Sequence, residues 1–179
     1  AKRSAVLRQT WGVADDDPVA ICVGRLAPEK NLNDLVAAYH AMCRVQPRTR
    51  LVLVGDGPAR QALQAACPQA ILAGSRSGDD LSAHYASADL FLFPSLTETF
   101  GNVTLEALAC GTPVLAFDSA AASELVQAGR NGWLVQGERE EDYLAKALEV
   151  TRDTARLMAM RTPTCESVAA LDWLQIVMQ

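Results

Sequence analysis

Short unbroken apolar runs alternate with helix-spaced segments from end to end of these 179 residues. The runs are "PVAICVGRL" (18–26), "RLVLVGDGP" (50–58), "AILAGS" (70–75), "ADLFLFPS" (88–95), "PVLAFD" (113–118) and "RNGWLVQ" (130–136). They read as buried strands. Helices are expected between them at 31–45, 58–66, 79–87, 102–110 and 120–129, with two more near 140–161 and 164–178. In the first of these, Leu32, Leu35, Val36, Tyr39 and Met42 recur at helical spacing, and Asn31 is placed to cap the N-terminus. Pro58 suits a first helical turn. Parallel strands need helical crossovers, so a β-α-β-α order implies an α/β fold: one doubly wound, Rossmann-like parallel sheet with helices on both faces.

Nothing in the chain divides it further: it has no linker, repeat or low-complexity stretch, so residues 1–179 are expected to form a single domain. A net charge of -5 argues against nucleic acid or an anionic membrane as a partner. Only three of the sixteen basic residues are Lys (Lys2, Lys30 and Lys146), which singles out a Lys inside a motif. The five Cys residues (22, 43, 67, 110 and 165) lack metal-binding spacing and read as buried free thiols in a reducing compartment. The first residues, "AKRSAVLRQTWGV", contain no secretory hydrophobic region and no initiating Met, so a cytoplasmic piece of a longer chain is expected.

Ligands of such sheets sit beyond the carboxyl ends of the strands. Those ends carry Gly24-Arg25, Gly55-Asp56-Gly57, Gly74-Ser75-Arg76 and the stretch from Ser95 to Asn102. The G-x-G at Gly55 is no dinucleotide fingerprint, because Gln61 stands at the third glycine position; a plain turn is the other reading. Arg25 and Lys30, in "GRLAPEKN", could reach one diphosphate across a short loop, Arg as a fork and Lys as a point charge. Alternatively they form a solvated basic pair with Glu29. Phe100, Gly101, Asn102 and Val103 start a helix whose free N–H groups favour a phosphate, unless Asn102 merely caps it. Glu98 precedes that helix and Glu106 lies about a turn inside it. Carboxylates accept hydrogen bonds from vicinal hydroxyls, so a hexose and a ribose are natural partners. Glu106 could also be an ordinary helix-dipole acid. His40 and His84 read as ordinary helix residues.

In order and spacing, "VGRLAPEKN", "VGDGP", "FPSLTETFGNVTLEALACGTPVLAFD" and "NGWLVQ" resemble the C-terminal donor-binding domain of GT-B retaining glycosyltransferases, glycosyl transferases group one. Bacterial GDP-mannose-dependent α-mannosyltransferases look most similar. The resemblance implies the following roles. Glu98 contacts the donor sugar near the reacting carbon, and Arg25 and Lys30 stabilise the departing diphosphate. Glu106 anchors the ribose, and Phe100 to Val103 donate backbone hydrogen bonds. Gly24, Ser75 and Arg76 line the nucleotide side, although the family's aromatic in the third strand is replaced by "ILAG". It also implies metal-independent transfer with retained configuration and no cofactor. The donor is a nucleotide-sugar, best matched by GDP-mannose. An N-terminal domain of the same protein, absent from these 179 residues, would hold the acceptor, so the piece alone is expected to bind donor without turnover. Association with the inner membrane surface would come through that other domain.

Two further readings fit the same fold. A GT-B nucleotide-sugar epimerase shares the fold but wants a different acid pattern. A non-catalytic nucleotide-binding or scaffold module would not need the Arg25, Lys30, Glu98 and Glu106 set. The last segment, "SVAALDWLQIVMQ", is expected to belong to a terminal helix (164–178) that crosses to the N-terminal domain, and its apolar residues suggest a homodimer of the isolated domain.

Overall fold

The structure, a computed structural model, describes residues 1–96 and 102–169. Six parallel strands form one sheet: β1 (Val19–Val23), β2 (Arg50–Val54), β3 (Ile71–Gly74), β4 (Leu90–Phe93), β5 (Val114–Phe117) and β6 (Gly132–Val135). Their spatial order is β3-β2-β1-β4-β5-β6. Chain order therefore runs outward in both directions from the β1–β4 pair, where Ala20 and Ile21 sit opposite Leu90 and Phe91. This is the doubly wound topology, and its crevice opens beyond the carboxyl ends of those two strands.

Successive strand residues point to opposite faces, and the core divides accordingly. Ala20, Cys22, Leu51, Leu53, Leu90 and Leu92 pack beneath helices α2 (Leu32–Val45), α3 (Arg60–Ala66) and α7 (Glu140–Thr151). Val19, Ile21, Val52, Val54, Phe91 and Phe93 pack beneath α1 (Ala5–Thr10), α4 (Gly78–Ser87), α5 (Asn102–Ala109) and α6 (Ala120–Leu125). Both faces are covered, so each strand reads as a continuous apolar run.

Four expectations from sequence change. Asn31 is not a side-chain cap: it adopts a left-handed conformation (φ 50°) between a 3₁₀ turn, Pro28–Lys30, and α2. The helix after Gly57 begins at Arg60, leaving Pro58 in the preceding turn. Only Cys22 and Cys67 are fully buried; Cys43 and Cys110 are half-buried and Cys165 is exposed, all five being free thiols.

The fourth change concerns the C-terminal helices. The break falls at Arg152–Asp153, where Asp153 caps α8 (Thr154–Ser167) by accepting from the Arg156 N–H at 3.0 Å. Helix α8 then runs through Pro163, which a sequence reading takes as a breaker. Contacts on either side of that proline hold it: the Arg161 guanidinium donates to the Ala86 and Ala88 carbonyls, and Thr164 is fully buried. Residues 164–167 are thus the end of α8, and Val168 is buried in the domain's own core. The remainder of the expected terminal helix lies outside the described residues.

Candidate functional site

The carboxyl ends of β1, β2 and β3 converge on an open crevice of about 280 Å³, bordered by Gly24, Arg25, Asp56, Ser75 and Arg76. On its β4 side, Gly24, Arg25 and Lys30 come together with Phe93, Pro94 and Ser95. A larger hollow of about 580 Å³ lies between α2 and α3. Its walls include Val36, Ala62 and Leu63, and it has none of the strand-end charges, so size does not locate the chemistry.

Within "VGDGP" the glycines serve the backbone of a neighbouring loop. A Cβ on Gly55 (φ 133°) would stand 1.9 Å from the Gly24 carbonyl oxygen, and one on Gly57 2.4 Å from that of Leu26. The loops after β1 and β2 are zipped by Leu26 N–H to the Asp56 carbonyl (3.0 Å) and Ala59 N–H to the Leu26 carbonyl (2.9 Å). Of these glycines, Gly24 is the one with open space where a Cβ would be. Backbone that a ligand can approach is therefore at the end of β1.

Arg25 is exposed, and its guanidinium reaches Glu29 only at 3.9 Å. An ion pair so solvated contributes little, and the head group can be redirected toward a ligand at small cost. Lys30 is half-buried at the end of the 3₁₀ turn. Behind it, burial pushes the Cys22 thiol up to about 12, with the Lys30 charge opposing. Asn31 follows, and its Nδ2 donates to the Pro94 carbonyl oxygen at 3.0 Å. One amide thus ties the loop bearing both cations to the loop leaving β4, across the point where strand order reverses. Sequence reasoning placed Asn31 at a helix end and missed this link, which only the adjacency of β1 and β4 creates.

Arg76 lines the same crevice, but its donors are engaged. Nε and Nη2 donate to the Ala73 carbonyl oxygen (3.0 and 2.6 Å), and Nη1 donates to Asp80 Oδ2 (3.2 Å). On the other side of the switch point, Asn102 is the first residue of α5 and is exposed, Val103 is half-buried, and Glu106 is half-buried one turn on. The Tyr85 hydroxyl donates to Glu106 Oε2 at 3.2 Å. Burial raises the Glu106 carboxyl above its ordinary range and the tyrosine bond pulls it back. Tyr85 was not singled out from sequence. Its position in "HYASAD" reads as helix core, which it also is. Glu98, Phe100 and Gly101 lie outside the described residues. Among the described residues no three His, Cys, Asp or Glu side chains are grouped so as to hold a metal ion.

A doubly wound α/β domain with charged loops gathered at its switch point is the nucleotide-binding class of fold. The profile of the family described as glycosyl transferases group 1 matches residues 17–153, and the chain belongs to that family. It is 43% identical over 135 residues to a GDP-mannose-dependent alpha-mannosyltransferase of Mycobacterium tuberculosis, covering 74% of this chain and 34% of that protein. A Corynebacterium glutamicum protein of the same description is 34% identical over 172 residues, covering 96% of this chain and 40% of its own length. The chain thus spans well under half of either relative. Among solved structures, Anabaena HepE in complex with UDP superposes with a TM-score of 0.80 at 27% identity, over 99% of this chain and 52% of that one. Sucrose-phosphate synthase from Thermosynechococcus elongatus gives 0.81 at 27% identity, over 99% and 47%. The fold is that of one half of a GT-B glycosyltransferase.

Proposed function

We propose that this chain is the donor-binding half of a metal-independent, configuration-retaining glycosyltransferase that uses GDP-mannose. The observation that carries the reading is the Asn31–Pro94 tie, which holds the Arg25–Lys30 loop beside the loop leading to Glu98 and α5. Cations on one side of the switch point and the Glu106 carboxylate on the other suit a substrate with a diphosphate beside a hydroxyl-bearing ring. The mannosyltransferase relatives support the donor sugar and base, and the HepE complex with UDP supports a nucleoside diphosphate as the ligand of this fold.

In this reading the bond from the anomeric carbon to the diphosphate breaks, and its electron pair leaves on the phosphate oxygen. Arg25, Lys30 and the N–H groups of residues 100–103 stabilise that charge, a fixed electrostatic field being the main source of catalysis at such a centre. The acceptor oxygen bonds to the same face of the carbon, and its proton passes to the departing phosphate. Glu98 holds the sugar hydroxyls, Glu106 the ribose, and Gly24 lets the nucleotide approach the end of β1. An N-terminal domain of the same protein supplies the acceptor, so the 179-residue chain binds donor without turning it over, at the cytoplasmic side of the cell.

Calorimetric titration of the chain with GDP, UDP and ADP in the presence of a chelator tests this. GDP should bind tightest and independently of metal. Absence of binding by all three at millimolar concentration would overturn the reading, and a preference for UDP would overturn the donor.

A further inference from the structure

We propose that Tyr85 is a positioning residue of the nucleotide site, its hydroxyl fixing the Glu106 carboxylate so that the second oxygen meets the ribose hydroxyls. The proposal rests on the reading of Glu106 as the ribose anchor.

The side chain of Tyr85 has little freedom. It is 1% exposed, and its ring meets Phe91 of β4 edge-on at 5.7 Å. Its carbonyl oxygen accepts from the Thr112 hydroxyl at 2.7 Å, just beyond the end of α5. With ring and backbone both held, the hydroxyl emerges at one place, 3.2 Å from Glu106 Oε2. Burial raises the phenol's pKa far above its ordinary value, so it remains a donor throughout the working pH range.

Glu106 is the sole acid of α5, set between buried Leu105 and Ala107. Left alone, a half-buried glutamate would distribute over several rotamers and would have to be ordered by each incoming ligand. With Oε2 committed to Tyr85, the carboxylate orientation is set before binding, and Oε1 is left for the ligand. A purely structural tie between α4 and α5 is the competing account. That tie is already made by the Thr112–Tyr85 carbonyl bond. A buried phenol serving structure alone would also be expected to end on a buried acceptor, as Tyr143 does, donating to the Leu115 carbonyl oxygen at 2.9 Å.

The test compares GDP with 2′,3′-dideoxy-GDP on the 179-residue chain and its Tyr85→Phe and Glu106→Gln variants, with thermal melting alongside. The wild-type chain should prefer GDP by about tenfold or more, and Glu106→Gln should abolish most of that preference. Tyr85→Phe keeps the ring packing and should reduce the preference roughly three- to tenfold, with dideoxy-GDP affinity unchanged, as expected for one lost hydrogen bond. Equal weakening of both nucleotides, or an intact preference, in Tyr85→Phe would overturn the positioning role while leaving Glu106 as anchor. An intact preference in Glu106→Gln would instead overturn the anchor reading, and this proposal with it. Should Tyr85→Phe fail to fold, fluorine NMR of the wild-type chain labelled with 3-fluorotyrosine decides the matter, with Tyr85 assigned by elimination using Tyr39→Phe and Tyr143→Phe. GDP should shift the Tyr85 signal and dideoxy-GDP should not; equal shifts with both would overturn the proposal.

Discussion

The two ends of the sheet use the same kinds of charge in opposite ways. At the amino ends of β1 and β4, Arg8 is 1% exposed and donates to the Ser87, Ala14 and Asp17 carbonyls. Asp89 there accepts from the Val19 N–H at 2.9 Å and pairs with Arg8, Arg3 and Arg161. Burial lowers the pKa values of Arg8 and Arg161, with Asp89 opposing. At the carboxyl ends, the Arg25 side chain is 69% exposed and, among the described residues, reaches one distant partner, while Glu106 has a single side-chain bond to them. Charge at the amino end is already engaged by protein groups. At the carboxyl end the Arg25 guanidinium is available to a ligand. The difference distinguishes clasp from site more clearly than cavity volume does.

The largest expected effect breaks the clasp. Asp89→Ala leaves Arg8 buried without its ion-pair partner, and such a loss costs about 3–5 kcal/mol. Urea unfolding should show it. A change below roughly 1 kcal/mol, the value of a surface pair, would mean the two ends do not differ as described.

Substitutions at the carboxyl end should show the reverse pattern. Arg25→Ala or Lys30→Ala should weaken GDP binding by about 1.5–3 kcal/mol, the range for hydrogen bonds to charged groups. For the exposed Arg25, folding stability should move by no more than roughly 0.5 kcal/mol. Calorimetry and melting on the same preparations check both halves, and an unaltered affinity in Lys30→Ala would remove it from the site.

Asn31 sharpens the comparison, because it belongs to both categories. Asn31→Gly keeps the left-handed backbone and removes only the bond to Pro94, whereas Asn31→Ala loses both. The Ala variant should be less stable than the Gly variant by about 1 kcal/mol, the penalty for an ordinary residue in that conformation. Both should weaken GDP binding, since the cation loop is released from β4. Wild-type affinity in Asn31→Gly would show that the tie is structural only.

The smallest effect is one of pH. The Glu106 carboxyl lies above its ordinary value in the folded chain, with Tyr85 and Cys110 as the titratable groups beside it among the described residues. A folded pKa above the unfolded one penalises folding once the group is ionised. That penalty is absent below the unfolded value and complete above the folded one. Glu106→Gln should therefore melt with the wild type in acid and slightly above it at neutral pH, by less than about 1 kcal/mol after solvent screening. GDP binding should change in the opposite direction, weakening for the wild type as pH falls through the same window. A stability gain for the Gln variant that is equal at acid and neutral pH would contradict the linkage.

Much of this was legible in the amino-acid order. All six strands fall within their apolar runs, and the helices between them were expected, because burial on both faces of a parallel sheet leaves an unambiguous run of Val, Leu, Ile and Phe. Gly24, Arg25 and Arg76 were expected at strand ends, Lys30 just before a helix, and Asn102, Val103 and Glu106 at the start of α5, and the described structure has them there. Helix α1 was not anticipated, nor was the continuation of α8 through Pro163. Both depend on arginines, the buried Arg8 and the half-buried Arg161, that bond to carbonyls far away in sequence.

The local order of residues therefore determined the class of fold, the strand ends that bear charge and the family, because each depends on neighbours within a turn or a strand. Tertiary structure alone decided which of those charges are free to act. Arg8 and Arg25 are the same side chain; the sequence places Arg25 at a strand's carboxyl end, but it does not show that Arg8 is buried and engaged. The distinction comes from the carbonyls and carboxylate that close around one and from the solvent left around the other. The same holds for Asn31 and Tyr85, whose partners Pro94 and Glu106 lie 63 and 21 residues away along the chain. Hydrogen bonds act over about 3 Å, so a polar side chain's role is set by what folding brings within that distance.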